Sequence, residues 1–319
     1  MKNILITGGT GFIGNHLLNF LIRDRYIIRA TTRKKILFAV HENLDFIRVD
    51  DINHVLDWQD ILSGVDCVIH MAGLAHILCT SGLLYDEFYR TNVEGTATLA
   101  KQAIAAGVKH FIFLSSVGAM ATLSDRPLDE TSPCKPDTPY GRSKLQAEIR
   151  LSQLCAETSM TWTILRPTLV YGPQNPGNMA QLLKLVNRGL PLPLGAIRNR
   201  RSFLYVGNLV DVIHLCINHP AAQNQTFLVS DDEVLSTPDL IGQIGQAMGR
   251  SLRLLPIPPA LLIAMAQPLG QRERLSRLTG SLEVSNHHLK TTLKWAPTYS
   301  FAQGMQNTVD WFIDSSVSQ

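Results

Sequence analysis

Tyr140 and Lys144 stand four residues apart in the stretch PYGRSK. On a helix that spacing puts them on one face, one turn apart. A lysine ammonium beside a phenol favours the phenolate and lowers the tyrosine pKa. A tyrosine tuned in this way gives or takes a proton at a carbonyl or an alcohol. The pattern is common by chance, but it gains weight from FIFLSSVGAMA, where Ser115 and Ser116 close a predicted strand. Ligands of open α/β sheets bind at such carboxyl ends. Ser116 is placed to hydrogen-bond the reacting oxygen, whereas a loop-capping role fits Ser115 better.

A second site candidate opens the chain. ILITGGTGFIG carries GxGxxG through Gly9, Gly11 and Gly14, and GxxGxxG through Gly8, Gly11 and Gly14. It lies between a predicted strand and a predicted helix, the context required of a dinucleotide fingerprint. Such a turn aims backbone N–H groups and a helix N-terminus at a pyrophosphate, with Gly8, Gly11, Phe12, Ile13 and Gly14 as the contacting residues. A nicotinamide cofactor would also help to stabilise a Tyr140 phenolate. An acid is expected at the end of the second strand to bind the ribose hydroxyls. Thr31, Thr32, Arg33 and Lys34 stand there instead. With Arg33 available to a 2′-phosphate and no carboxylate to repel it, the expectation is NADP(H), with NAD(H) possible. The alternative is a solvated basic loop. Asp51, followed by Ile52, is placed after the third strand to accept from the adenine amine, or else serves as a turn or cap aspartate.

The elements that must position these residues alternate. The runs KNILIT, YIIRATTR, LDFIRVD, VDCVIHMAG, KHFIFLSS and TWTILRPT read as strands, with helical stretches between them. DCVIH and HFIFL lack period-2 alternation, as strands covered on both faces do. The order predicts an α/β, Rossmann-type doubly wound parallel sheet. After about residue 167, proline and glycine punctuate the chain, and a smaller C-terminal substrate-binding lobe is expected. The division is 1–167 plus about 203–230 for the dinucleotide, and 168–202 plus about 231–319 for the lobe.

The chain has 319 residues, 45% of them hydrophobic and 17% charged, with a net charge of +3. That balance does not suggest a nucleic-acid binder. Cys67, Cys79, Cys134, Cys155 and Cys216 are odd in number and contain no CxxC. This argues against a disulfide framework or a zinc site and for a reducing, cytoplasmic setting; no metal is expected. The apolar stretch PIPPALLIAMAQPLG is broken by prolines well short of a membrane span, so no membrane insertion is expected.

With these motifs assembled, the chain resembles the extended short-chain dehydrogenase/reductases, in their sugar-nucleotide epimerase/dehydratase branch. The resemblance rests on ITGGTGFIG, VIHMAG, YRTNVEGT, FLSS, PYGRSK, LRPTLVYGP, RRSFLYVGNLVDVI and LKWAP and runs nearly end to end. It implies Ser116, Tyr140 and Lys144 as the catalytic set. It also implies Asn92 beside the nicotinamide, backbone at Ala72 and Gly73 flanking the cofactor, and Arg166–Pro167 leading past the carboxamide. In the lobe it implies Asn178 and Arg201 on the diphosphate of a sugar nucleotide. The stretch 190–195, with Leu192 and Leu194, would face the base. Arg274 is either a second phosphate contact or a solvated helix arginine. The helices around 84–106 and after Tyr140 are placed to form the family's four-helix dimer interface, which gives a homodimer.

Departures from the family pattern bear on the reaction. Val117 and Gly118 follow Ser116 where the dehydratases carry Asp-Glu, which argues against a 4,6-dehydratase. Ser202 replaces the usual aspartate after Arg201. The reading favoured by Arg33 is NADPH-dependent reduction of the C4 ketone of a nucleotide-linked 4-keto-6-deoxy-N-acetylhexosamine for surface polysaccharide, with UDP preferred over dTDP. The alternatives are a UDP-sugar 4-epimerase with retained NAD and a non-catalytic dinucleotide-binding regulator.

Overall fold

The structure is a computed structural model that describes residues 1–33, 41–53, 56–75, 84–266 and 272–317. Strands β1 (Lys2–Thr7), β2 (Tyr26–Thr32), β3 (Leu44–Arg48), β4 (Cys67–His70), β5 (His110–Leu114), β6 (Thr161–Pro167) and β9 (Gln225–Val229) form one sheet. Its order is β3-β2-β1-β4-β5-β6-β9, and all of its pairings are parallel. Every residue of β4 and β5 is buried, which explains their missing alternation. Chain order reverses between β1 and β4, so the crevice at their carboxyl ends is the switch point where such sheets take ligands.

Helices cover both faces. On one side, α1 (Phe12–Leu21), α7 (Val206–Asn218) and α11 (His287–Leu293) pack Leu17, Leu21, Leu209, Ile213 and Leu289 onto Ile4, Ile28 and Phe227. On the other, α2 (Gln59–Leu62), α4 (Gly95–Ala105) and α5 (Pro139–Cys155) bury Leu62, Leu99, Ala103, Ala147 and Leu151 against Leu5, Phe111 and Phe113. Trp58 joins this second core with no exposed surface.

The second lobe holds a small sheet of β7 (Leu169–Tyr171), β8 (Arg201–Tyr205) and β10 (Val234–Leu235), in the order β10-β8-β7. The stretch FLYVGNLVDVIHLCINH therefore divides: its strand joins the small sheet, and its helix α7 returns to the large one. Around the small sheet lie α6 (Asn178–Asn187), α8 (Thr237–Ala247), α9 (Pro259–Ala266), α10 (Arg272–Thr279) and α12 (Phe301–Val317). Their core includes Leu183, Leu192, Leu194, Ile241, Phe301 and Val309. Cys67, Cys134, Cys155 and Cys216 are free thiols; Cys79 lies outside the described residues. Among the described residues no helix is long and apolar enough to cross a membrane, and no group of side chains has the makings of a metal site.

The helical stretch before α4 is not uniform. After α3 (Leu84–Phe88), residues Tyr89–Glu94 widen into a π-helix before α4 resumes. Such insertions in helices often mark functional positions. The Thr96 hydroxyl, a turn later, donates to the Asn92 carbonyl at 2.6 Å.

Buried titratable groups give this fold a pH signature. Burial pushes His70 down to about 3 and His110 down to about 4. They stay neutral in the fold, whereas unfolded histidines protonate near 6.5. Their contribution is therefore complete above about pH 6.5 and is lost as pH falls toward those depressed values. Asp231 acts in the opposite sense, because burial raises its carboxyl to about 7. Its contribution is complete below about pH 4 and is lost as pH rises through about 7. Between pH 6 and 5 the two histidines outweigh the aspartate, and stability is expected to fall by about 1 kcal/mol per pH unit. Urea melts at constant ionic strength measure this; flat or rising stability across the interval would show that the histidines are not held neutral.

Candidate active site

Three loops at the carboxyl edge of the sheet build the site, following β1, β4 and β5. The first is the glycine turn. Gly8 has φ of +77°, a left-handed conformation, and a Cβ there would come within 3.0 Å of the Ala72 backbone nitrogen. At Gly14 a Cβ would meet the Gly8 carbonyl at 2.3 Å, so the first turn of α1 lies directly on the loop. The α1 cap residue Gly11 contributes no side-chain hydrogen bond, and the first turn holds no acid. Its N–H groups and dipole face the crevice, a setting suited to an anion. Threonines brace the loop from behind: Gly8 N donates to Thr31 Oγ1 at 3.2 Å, and Thr10 and Thr32 join their hydroxyls at 3.2 Å.

The second loop, Met71–Gly73, is fixed by His70. Because Thr96 donates to the Asn92 carbonyl, its oxygen can only accept from His70 Nε2, at 2.9 Å. Nδ1 is then bare and accepts from the Thr7 hydroxyl at 2.7 Å. Thr7 Oγ1 in turn accepts from Met71 N and Ala72 N, both at 3.2 Å. Gly73 is a glycine because a Cβ would lie 2.9 Å from Asn92 Oδ1. Asn92 is 2% exposed. Its amide binds Leu74 N at 2.8 Å, Leu74 O at 3.0 Å and Ser143 Oγ at 3.0 Å. The asparagine thus ties the π-helix to the β4 loop and to the helix carrying Tyr140.

The third loop brings together the residues singled out first. Helix α5 starts at Pro139 under a Thr138 cap, whose hydroxyl accepts from Gly141 N at 3.0 Å. Ser116 begins a short 3₁₀ turn, Val117–Ala119, and its Oγ accepts from Gly118 N at 3.0 Å. The Ser116 side chain also hydrogen-bonds Tyr140, which pulls the phenol down against the larger upward push of burial. The net shift is upward, unlike the lowering expected from Lys144. The reason is placement: Lys144 Nζ donates to the Leu114 carbonyl at 2.6 Å and lies 4.1 Å from the centre of the Phe113 ring. Burial brings Lys144 down to about 7, so it sits near its own titration point.

The remaining expected residues lie elsewhere in the fold. Asp51 is exposed and accepts from Asn53 Nδ2 at 3.0 Å. The neighbouring Ile52 meets α4 at Gly95, where a Cβ would stand 2.9 Å from the Ile52 carbonyl. Pro167 ends β6, paired with Val229. Asn178 is exposed at the start of α6. Leu192 and Leu194, at 5% and 7% exposure, turn into the lobe core. The Leu192 backbone is taken up by Arg253 and Leu255. Arg201 Nη1 donates to the Gly280 carbonyl at 3.0 Å, and burial lowers its pKa. Ser202, in place of the usual aspartate, accepts from Val284 N at 3.1 Å. The side chain of Arg274 lies outside the described residues, as does Lys34.

Sequence reasoning passed over His70, Ser143 and Gly141. The fourth residue of YGRSK, Ser143, donates to the Tyr140 carbonyl at 2.8 Å. At Gly141 a Cβ would lie 2.1 Å from the Gly118 carbonyl. The signal for Gly141 was present, since a glycine inside an otherwise helical pattern calls for a packing reason.

Comparison with known proteins now fits this geometry. The model of the NAD dependent epimerase/dehydratase family matches residues 4–230, and the chain belongs to that family, within the extended short-chain dehydrogenase/reductases. It is 38% identical to a UDP-glucose 4-epimerase of Vibrio cholerae, over 99% of this chain and 97% of that protein. It is 28% identical to the N-acetyl-alpha-D-glucosaminyl-diphospho-ditrans,octacis-undecaprenol 4-epimerase of Escherichia coli O157:H7, with 97% and 95% covered. The fold matches UDP-glucuronic acid 4-epimerase from Bacillus cereus in complex with NAD, with TM-score 0.80, 20% identity, and 98% and 99% of the chains covered.

These findings correct two expectations. The reading as an NADPH-dependent reductase of a 4-keto sugar is overturned by the 4-epimerase relatives, and the preference for NADP(H) by the NAD-bound solved structures of the fold. The physical reason lies at the end of β2. Arg33 is exposed, and Thr31 and Thr32 are engaged in bracing the glycine loop. The exposed Arg33 is a surface side chain rather than a built phosphate pocket.

Replacing Gly141 with alanine is expected to push the Val117–Ala119 turn, and Ser116 with it, away from Tyr140. Misplacing a catalytic group by about 1 Å can cost about 10²-fold in turnover. Steady-state kinetics beside a thermal melt check this; unchanged turnover in Gly141→Ala would show that the close approach does not position Ser116.

Proposed function

We propose that the protein is a UDP-hexose 4-epimerase that works with tightly retained NAD. One observation carries the reading: Ser116 and Tyr140 meet at the carboxyl edge of a sheet whose first loop is shaped for a dinucleotide. This occurs in a chain 38% identical, along its length, to a UDP-glucose 4-epimerase. The absence of an acid at Val117 and Gly118 supports epimerisation over the elimination of water.

In this reading Tyr140 removes the proton from the C4 hydroxyl and later returns it, while Ser116 holds the same oxygen. Lys144, one turn further along α5 on the Leu114 carbonyl, is the cation assigned to the cofactor ribose. Bound NAD supplies reversible hydride transfer at C4. The N-terminus of α1, with Gly8, Gly11, Phe12, Ile13 and Gly14, holds the pyrophosphate. Asp51 and Ile52 serve the adenine side, and Ala72, Gly73, Asn92 and Pro167 the nicotinamide side. The unit 1–167 plus about 203–230 holds the dinucleotide. The lobe 168–202 plus about 231–319 receives the sugar nucleotide, with Asn178 and Arg201 toward the diphosphate and the 190–195 segment toward the uracil. A groove over α4 and α5, lined by Tyr89, Val93, Ala97, Lys101, Ile149 and Gln153, is assigned to a second copy of the chain. A soluble sugar-nucleotide substrate and reduced thiols suit a cytoplasmic enzyme.

Incubation with UDP-glucose and NAD is expected to yield UDP-galactose with no net change in nicotinamide absorbance. Tyr140→Phe is expected to slow this by about 10²–10⁴-fold while keeping NAD bound. Stoichiometric consumption of a reduced cofactor, or no C4 inversion of either UDP-glucose or UDP-N-acetylglucosamine, would overturn the proposal.

A further inference from the structure

The helix that carries Tyr140 and Lys144 has a third residue on the same face. Glu148 lies one turn beyond Lys144 and two beyond Tyr140 on α5, and it is 3% exposed. A carboxylate so buried is costly unless its oxygens are bonded. Here two strands supply the partners. From the end of β5, Ser115 Oγ donates to Glu148 Oε1. From β6, Arg166, itself 7% exposed, donates Nη2 to Oε2 at 2.5 Å and Nε to Oε1 and Oε2 at 3.1 and 3.2 Å. The planar guanidinium and the carboxylate fix one another's orientation. Helix α5 is thereby pinned to β5 and β6 at the level where Ser116 and Pro167 leave the sheet.

We propose that Glu148 is a positioning residue for the reaction. Locked between Ser115 and Arg166, it fixes the strand end that carries Ser116 against the helix that carries Tyr140. It also sets its negative charge one turn from the Lys144 ammonium. The inference rests on the reading of Tyr140 and Lys144 as residues of the proposed epimerase site.

The surroundings of Lys144 leave that charge a clear role. From β5 come the Leu114 carbonyl and the face of Phe113, which are neutral. From β4 comes His70, which burial keeps unprotonated. Tyr140 is on the same helix. Arg166 pairs with the carboxylate itself and has Cys134 as its own further neighbour. Burial alone drives Lys144 toward its neutral form, and Glu148 acts against it. Residues one helical turn apart have Cβ atoms ~5–6 Å apart. At that distance and an effective dielectric of about 20, a carboxylate moves an ammonium's midpoint by about 2 pH units.

The test is the titration of Lys144 in NAD-loaded protein by NMR of Cε-labelled lysine, its signal identified by loss in Lys144→Ala. In Glu148→Gln the midpoint is expected to fall by about 2 pH units. The high-pH limb of kcat for UDP-glucose should move in the same direction, with KM little changed. Glu148→Asp should restore part of the shift. A merely structural glutamate would lower kcat at every pH and leave the midpoint in place. Glu148→Gln leaves Arg166 buried and unpaired. If that prevents folding, Glu148→Gln/Arg166→Met is taken through the same titration, with a downward shift again expected. An unmoved midpoint in a folded variant, with the unmutated enzyme turning over normally, overturns the role of Glu148. Absence of turnover in the unmutated enzyme, or full turnover in Tyr140→Phe, overturns the functional reading instead.

Discussion

A lysine ammonium taken out of water and left with one backbone carbonyl is the constraint around which this molecule is arranged. Lys144 needs the Leu114 carbonyl and the face of Phe113, and both belong to β5. Helix α5 is therefore tied to the end of that strand. The close contact is possible because Gly141 has no side chain where the Gly118 carbonyl passes. Once helix and strand are locked, Ser116 and Tyr140 have little freedom in how they meet. Burial in this contact lowers the lysine pKa to about 7, because taking an ammonium out of water disfavours its charged form.

The other half of the crevice is made chiefly of backbone. Gly8, Gly14 and Gly73 mark places where the loops after β1 and β4 press on one another or on Asn92. Thr7, His70 and Thr96 form a chain of hydrogen bonds whose donor order follows from a single fact, the Thr96 bond to the Asn92 carbonyl. This chain joins the end of β1 to the π-helix and gives Asn92 a fixed place between Leu74 and Ser143. The resulting wall is held together by hydrogen bonds between uncharged groups.

Arg33 shows how a residue type can mislead. A missing acid and two cations at the end of the second strand are the usual sign of a phosphorylated cofactor. Yet charge near a site acts only when geometry holds it there, and Arg33 is exposed.

The alternation of strand and helix, the glycine turn, Ser116, Tyr140 and Lys144 were legible in the sequence alone. Each rests on local rules: the periodicity of buried segments, the conformational needs of a tight turn, and the spacing of side chains on one helical face. The bond partner of Lys144, the bracing of Asn92 and the Ser115–Glu148–Arg166 cluster were not legible. Glu148 was open to discovery by following the Tyr140 face one turn further, but its partners come from strands 33 positions before it and 18 after. Whether a charge is solvated, paired or poised depends on what non-neighbouring segments bring to it. The physical reason is that electrostatic strength depends on burial and distance, and both are set only when the chain has folded.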